Sequence, residues 1–105
     1  THQPVEHLQS LRCMPGLHVY RPADGVETAE CWSLALQDEG PSLLALSRQN
    51  LKPVRTQAVA ENLCARGAYR LRNAEAERKV ILLATGSEVE IALGVADRLE
   101  AQGIG

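Results

Sequence analysis

Residues 17–47 read LHVYRPADGVETAECWSLALQDEGPSLLALS, a stretch whose pattern predicts a strand, a helix and a second strand. Residues 17–21 alternate apolar and polar side chains, as a strand does. Residues 25–37 carry apolar side chains at helical spacing, and residues 42–47 form the short apolar run that is typical of a buried strand. The helix is long enough for a crossover between parallel strands, so this stretch indicates one unit of a doubly wound α/β sheet.

The remaining sequence predicts further elements on both sides of this unit. A short helix that has Pro4 in its first turn and ends before Pro15 precedes it. After it we expect a weak helix over 56–66 and an edge strand over 68–71. Residues 79–85, with Val-Ile-Leu-Leu-Ala at their centre, form the clearest buried strand of the sequence, and a helical face follows until Gly103. Strand and helix together predict a second unit of the same kind.

Two pairs of residues have the spacing of a capping box, in which the first side chain caps a helix and the second reaches back. The pairs are Asp24 with Glu27 and Ser87 with Glu90. We therefore expect helices to begin at Asp24 and Ser87. The fold class expected is α/β, with pieces of two parallel-sheet domains truncated at both ends.

Composition excludes several functional classes. The chain has 105 residues, 11 Lys and Arg against 13 Asp and Glu, and a net charge of −2. A binder of nucleic acid would need a basic surplus, so none is expected. No apolar run approaches the ~18–20 residues of a membrane span. Three cysteines at irregular spacing and the lack of a visible signal peptide predict reduced thiols and a cytoplasmic location.

Two residues are candidates for binding a ligand, and each has a structural alternative. His2 precedes Gln3 and Pro4 at a helix entrance, from which an imidazole can point into a cleft, although a purely structural histidine is favoured on local grounds. Arg48 lies just past a parallel strand, where its guanidinium could hold a phosphate or equally form an interdomain ion pair. Residues 84–88 resemble a phosphate-binding turn, but a capped strand-to-helix turn is favoured. Arg21, beside Asp24, is most simply structural.

Four sequence blocks, in this order and at these intervals, closely resemble transketolases. They are Thr-His-Gln-Pro-Val-Glu-His-Leu at 1–8, Arg-Pro-Ala-Asp at 21–24, Ser-Arg-Gln-Asn-Leu at 47–51 and Ala-Thr-Gly-Ser-Glu-Val at 84–89. The resemblance covers the chain nearly end to end. It implies that residues 1–55 are the last part of the pyrimidine-binding domain, 56–78 the interdomain linker and 79–105 the start of the C-terminal domain.

The resemblance also implies an activity and a set of partners. Transketolases transfer a two-carbon ketol unit from a ketose phosphate to an aldose phosphate in the pentose phosphate pathway and the Calvin cycle. They use thiamine diphosphate, whose diphosphate a divalent metal holds (Mg²⁺ or Ca²⁺), and their sites form between subunits of a homodimer. By resemblance, His2 hydrogen-bonds the sugar and Arg48 holds its phosphate.

The resemblance assigns no catalytic, cofactor-binding or metal-binding residue to these 105 positions. The acidic Gly-Glu-Asp-Gly-Pro stretch and the diphosphate-binding domain of the family are missing, so the chain alone is expected to be inactive. Lys52 stands where the family prefers proline. Two alternatives stay open: a sister ketol transferase such as dihydroxyacetone synthase, and a noncatalytic α/β interaction module.

Overall fold

Helices and strands alternate along the chain in a computed structural model that describes residues 4–57 and 59–105. The elements are α1 (His7–Arg12), β1 (His18–Tyr20), α2 (Gly25–Gln37), β2 (Ser42–Leu44), a 3₁₀ turn (Leu63–Arg66) and α3 (Glu88–Glu100). In the described part of the chain, no helix is long and apolar enough to cross a membrane.

The two strands lie side by side and parallel, with His18 opposite Ser42 and Tyr20 opposite Leu44. Helix α2 connects them, which confirms the predicted strand, helix and strand and the α/β class. Both strands are shorter than the sequence predicted. In β1, every second residue donates its backbone N–H to β2. The next residue in this alternation is Pro22, which has no N–H to donate. The ladder therefore ends where Ala45 N donates to Tyr20 O, at 2.9 Å.

Asp24 fixes the start of α2 as the capping pair predicted. Its Oδ1 accepts a hydrogen bond from Glu27 N at 2.9 Å, while Glu27 Oε2 accepts one from Ala23 N at 2.7 Å. The other oxygen of Asp24 accepts from Val54 N and Arg55 N, both at 3.0 Å. Burial would raise the pKa of Asp24, but these backbone donors outweigh it and lower the pKa.

An ion pair ties the segment after β2 to α2. Arg55 Nη1 lies 2.6 Å from Glu30 Oε1, with side chains only 4% and 13% exposed. The Arg55 guanidinium also lies over the ring of Tyr69, 5.5 Å from its centre, and the Tyr69 hydroxyl donates to Glu27. Cys64 N donates to Glu30 Oε2 at 3.1 Å. The predicted linker is therefore packed along α2.

Two predicted elements of this segment were wrong. In place of a helix over 56–66 the structure has only the 3₁₀ turn, which the Asn62 side chain caps and Gly67 ends at φ +74°. Residues 68–71 form no strand, because no described strand lies beside them and the Tyr69 side chain is directed at α2.

The strand predicted over 79–85 was also wrong. These residues are exposed and form no strand in the described structure, with Ile81 73% and Leu83 90% exposed. A parallel strand needs a neighbour to bond its backbone and cover its side chains. Where no neighbour is present, an apolar sequence does not produce a strand.

One residue does pair with the beginning of this segment. Gly105 N donates to Glu77 O at 3.2 Å, and Lys79 N donates back to Gly105 O. These two bonds are the pattern of a parallel bridge opposite Arg78. The chain therefore returns parallel to its earlier course after α3, as a strand-helix-strand unit requires.

Helix α3 begins differently from the prediction and ends as predicted. Ser87 does not cap it; its hydroxyl donates to Glu88 Oε1 at 2.8 Å, so the proposed capping box with Glu90 was wrong. The first turn is instead closed by the carbonyls of Thr85 and Gly86. Gly103, at φ +74°, follows the end of the helix.

Candidate functional site

The carboxyl ends of β1 and β2 meet at one edge of the small sheet, because the strands are parallel. Arg21 directly follows β1, and Arg48 lies in the segment that follows β2. In open parallel sheets this edge is where ligands bind. One arginine therefore follows each strand, and the surroundings of the two side chains differ.

Arg48 is exposed. Within residues 4–57 and 59–105, no carboxylate forms an ion pair with it and no side-chain hydrogen bond engages it. The interdomain ion pair that sequence left open for Arg48 therefore does not form among these residues. An exposed guanidinium has five N–H donors and can bind a phosphate by donating two parallel hydrogen bonds to it.

Arg21, by contrast, contacts the turn that precedes α3 through its Nη1 atom. Its Nη1 donates to Thr85 O at 3.3 Å and to Thr85 Oγ1 at 3.1 Å, and it forms an ion pair with Glu88. The backbone joins the same contact, since Gly86 N donates to Arg21 O at 3.0 Å. The hydrogen bond from Arg21 lowers the pKa of Glu88, assisted by the Ser87 hydroxyl.

Gly86 makes this contact possible. It is buried at φ +57°, a left-handed conformation that side chains disfavour. A Cβ at this position would lie 2.9 Å from both Cγ and Nε of Arg21. Pro22 and Ala23, which follow Arg21 after the end of β1, are buried. Packing is therefore tight where the end of β1 meets the turn before α3.

A second, weaker ion pair joins the same parts of the chain. Lys52 Nζ lies 3.6 Å from Glu90 Oε1, with the lysine side chain 84% exposed. Both acidic residues in the first turn of α3 therefore face cations from the earlier part of the chain. Their carboxylates already occupy the positive end of the helix dipole, which argues against a phosphate cradle at residues 84–88.

Sequence reasoning missed the partner of Arg21. It described Arg21 as structural, which the contacts support, but gave no sign of what it binds. Arg21 and Glu88 are 67 positions apart, so no local spacing relates them. The single glycine of the 84–88 turn was the available signal, because a buried glycine marks a close approach of another group.

The other predicted ligand residue, His2, lies outside the described residues, and its role stays a prediction. In the described part of the chain, no three His, Cys, Asp or Glu side chains are grouped to hold a metal ion. Cys13, Cys31 and Cys64 are free thiols. Burial raises the pKa of Cys31 and Cys64, which makes both poor nucleophiles.

Comparison with known families identifies both halves of this arrangement. The family model described as the transketolase pyrimidine-binding domain matches residues 1–54. This chain belongs to the transketolase family. A second model, described as the transketolase-like C-terminal domain, matches residues 67–105. The contact between Arg21 and Glu88 therefore joins the two matched parts.

Curated transketolases match along the whole chain. The transketolase of Cereibacter sphaeroides is 62% identical over 105 residues, which cover 99% of this chain and 16% of that protein. The transketolase of Streptococcus pyogenes serotype M6 is 46% identical over 106 residues, covering 99% of this chain and 14% of that protein. The chain thus spans about one sixth of the length of the curated relatives it matches.

Solved transketolases share the fold. The Campylobacter jejuni enzyme superposes with a TM-score of 0.84 at 43% identity, covering 99% of this chain and 16% of that chain. The Pichia stipitis enzyme in complex with sedoheptulose 7-phosphate gives a TM-score of 0.83 at 39% identity, covering 98% of this chain and 15% of that chain.

Proposed function

We propose that this chain forms part of the sugar-phosphate site of a transketolase that transfers a two-carbon ketol unit from a ketose phosphate to an aldose phosphate. The observation that carries the proposal is the exposed, unengaged guanidinium of Arg48 at the carboxyl edge of a parallel sheet. The complex of the Pichia stipitis relative with sedoheptulose 7-phosphate supports the class of substrate.

Arg48 holds the phosphate of the sugar in this proposal. The arginine that follows β1, Arg21, already directs Nη1 to Thr85 and Glu88, so the phosphate is assigned to Arg48. A guanidinium keeps its charge at any working pH and pairs with a phosphate dianion in a fixed orientation. Arg48 therefore orients the sugar as well as attracting it.

His2 hydrogen-bonds the sugar hydroxyls near the reacting carbons. The support is its position in the Thr-His-Gln-Pro block, within the part of the chain that the pyrimidine-binding model matches. A neutral imidazole both donates and accepts, so it can bind a hydroxyl or a carbonyl oxygen. The role is one of binding and orientation, in which the cofactor carries the reactive centre.

The family relationship supports the remaining parts of the proposal. The complete enzyme is a cytoplasmic homodimer of the pentose phosphate pathway or Calvin cycle, and it uses thiamine diphosphate with Mg²⁺ or Ca²⁺. In keeping with the family resemblance, we assign no contact with cofactor or metal to these 105 residues. Residues 1–55 belong to the pyrimidine-binding domain, 56–78 to the linker and 79–105 to the C-terminal domain. The 105 residues alone are inactive.

Arg48→Ala in the complete enzyme tests the proposal. Steady-state rates are measured with a phosphorylated sugar and with its unphosphorylated counterpart. We expect kcat/KM for the phosphorylated sugar to fall by an amount equivalent to about 2–4 kcal/mol, because a charged hydrogen-bonded pair is lost. The unphosphorylated sugar should lose much less. An equal loss for both sugars would remove Arg48 from the phosphate site.

His2→Ala gives the companion measurement. It should lower kcat/KM while leaving the affinity for thiamine diphosphate nearly unchanged, since the imidazole binds sugar and not cofactor. Arg12→Ala, an exposed arginine in the last turn of α1, serves as the control for surface charge. A collapse of cofactor binding in His2→Ala would contradict the role.

A further inference from the structure

The first turn of α3 carries two carboxylates that the helix itself does not use. Neither Glu88 nor Glu90 completes a capping box, and both reach across to cations in the part of the chain that the pyrimidine-binding model matches. Glu88 is the stronger contact, because its partner Arg21 also bonds Thr85 and packs across Gly86. The C-terminal part of the chain is therefore attached to the strand edge on which Arg48 lies.

A continuous series of contacts leads from Glu88 toward the Arg48 segment. Glu88 holds the side chain of Arg21, and the backbone carbonyl of Arg21 accepts from Gly86. Arg21 adjoins Tyr20, whose carbonyl accepts from Ala45 N in the last bond of the parallel ladder. Ala45 is the residue at which the chain leaves β2 on its way to Arg48.

The far side of the same segment has a matching contact. Lys52 follows Arg48 by four residues and pairs with Glu90. The segment from Ala45 to Lys52 is thus connected at both ends to the first turn of α3, by way of β1 at one end and directly at the other. Arg48 lies between these two attachments.

We infer that Glu88 is a positioning residue for Arg48: by holding Arg21, it fixes the strand end from which the phosphate-binding segment departs. The inference rests on the proposed function of Arg48. It assigns the C-terminal domain a part in substrate recognition, exerted through a contact between domains. Glu88 touches no substrate and acts only through Arg21 and the end of the ladder.

The test is a pair of substitutions at Glu88 in the complete enzyme. Glu88→Gln removes the charge, and Glu88→Asp keeps the charge but shortens its reach to Arg21. Both should raise KM for a phosphorylated sugar by about threefold to tenfold, the range that contacts along such a network produce. The value of kcat, and KM for the unphosphorylated sugar, should change by less than about twofold.

Glu61→Gln is the matched control. Glu61 forms an exposed ion pair with Arg66, a residue of the 3₁₀ turn outside both strands. Its loss should leave kcat and the KM values for both sugars unchanged. A lower KM in Glu88→Gln with no change in Glu88→Asp would mean that only the local charge matters and would overturn the inference. The exchanged pair Arg21→Glu with Glu88→Arg should restore part of the lost affinity.

Arg48→Ala separates this inference from the proposed function. If Glu88 acts through Arg48, Glu88→Gln should have no further effect on KM in an Arg48→Ala background. If Arg48→Ala itself fails to distinguish phosphorylated from unphosphorylated sugar, the proposed function falls. If Arg48→Ala does distinguish them but Glu88→Gln behaves like Glu61→Gln, only the positioning role of Glu88 is wrong.

Discussion

Residues 17–66 and residues 67–105 carry the same kind of sequence pattern, yet only the first stretch forms a sheet. In the first, β1 and β2 pair over three residues each and a buried ion pair secures the chain that follows. In the second, residues 79–85 remain exposed and form no strand in the described structure, although Lys79 and Val80 donate to Gly105. The difference shows that an apolar pattern marks a candidate strand, but that the strand forms only where a neighbouring strand pairs with it.

The first stretch is held mainly through one polar face of a helix. Asp24 caps the start of α2, and Glu27 and Glu30, about one turn apart, lie on one face of its first turns. Each accepts hydrogen bonds from the segment 54–69, through backbone amides, the Tyr69 hydroxyl or the Arg55 guanidinium. Here the segment 54–69 is attached through carboxylates.

The second stretch has polar contacts of a different quality. Glu100 accepts from the backbone amides of Glu75 and Ala76, and Arg72 pairs with Asp97 at 2.5 Å. Most of these groups are exposed, and exposed ion pairs add little to stability. We therefore expect substitutions of acidic residues to have large effects on α2 and small effects on α3.

The largest effect should come from Glu30→Gln. It leaves the Arg55 guanidinium buried without a counter-charge, which costs about 3–5 kcal/mol. Hydrogen–deuterium exchange of the peptide covering residues 54–66 in the complete enzyme measures this cost, because it lowers the free energy needed to open the segment locally. Asp97→Gln, which breaks the exposed pair with Arg72, should change exchange near α3 by less than about 1 kcal/mol. Equal losses at the two sites would contradict the comparison.

An intermediate effect is expected at the glycine that joins the two stretches. Gly86→Ala forces a side chain into φ +57° and against Arg21, which should destabilise the turn by about 1–2 kcal/mol. Gly94→Ala is the control, since nothing lies within 4 Å of its Cβ position inside α3. That change should stabilise the helix by about 0.5–1 kcal/mol. Hydrogen–deuterium exchange of the peptide covering α3 reports the stability change of both variants. Stability changes of the same sign in the two variants would be inconsistent with the Arg21 contact.

The smallest effect is the pH dependence of the Arg21 contact. Because the folded pKa of Glu88 lies below its unfolded value, the contact stabilises fully above about pH 4.3 and weakens as pH falls toward the folded pKa. Glu88 is half exposed, so the loss should stay below about 1 kcal/mol. Exchange of residues 84–90, corrected for the intrinsic pH dependence of amide exchange, should show it in the native enzyme and not in Glu88→Gln.

What sequence predicted correctly depended on local signals. The spacing of Asp24 and Glu27 set the start of α2, and the alternating run before Pro22 set β1. Even the early end of the ladder has a local cause, since proline lacks the donor that would continue it. The α/β class followed because both strands and their crossover fall within one continuous window.

What sequence could not predict depended on distant partners. The strand expected over 79–85 failed because burial is a property of neighbours, which the segment does not carry within itself. Arg21 was correctly described as structural, but its pairing with Glu88 joins positions that only the fold brings together. For Arg48 two alternatives were equally open, and its phosphate role stays a prediction; among the described residues the ion pairs to the first turn of α3 come from Arg21 and Lys52.

The second oxygen of Asp24 has a consequence for the entropy of ligand binding. By accepting from Val54 and Arg55, it closes a loop of about thirty residues that contains Arg48. Closing this loop during folding restricts the backbone around Arg48 before any sugar arrives. Ordering a flexible loop on binding costs entropy and weakens association. Because this loop is already restricted, less of the free energy of the proposed phosphate interaction is spent on ordering it, and the affinity is higher.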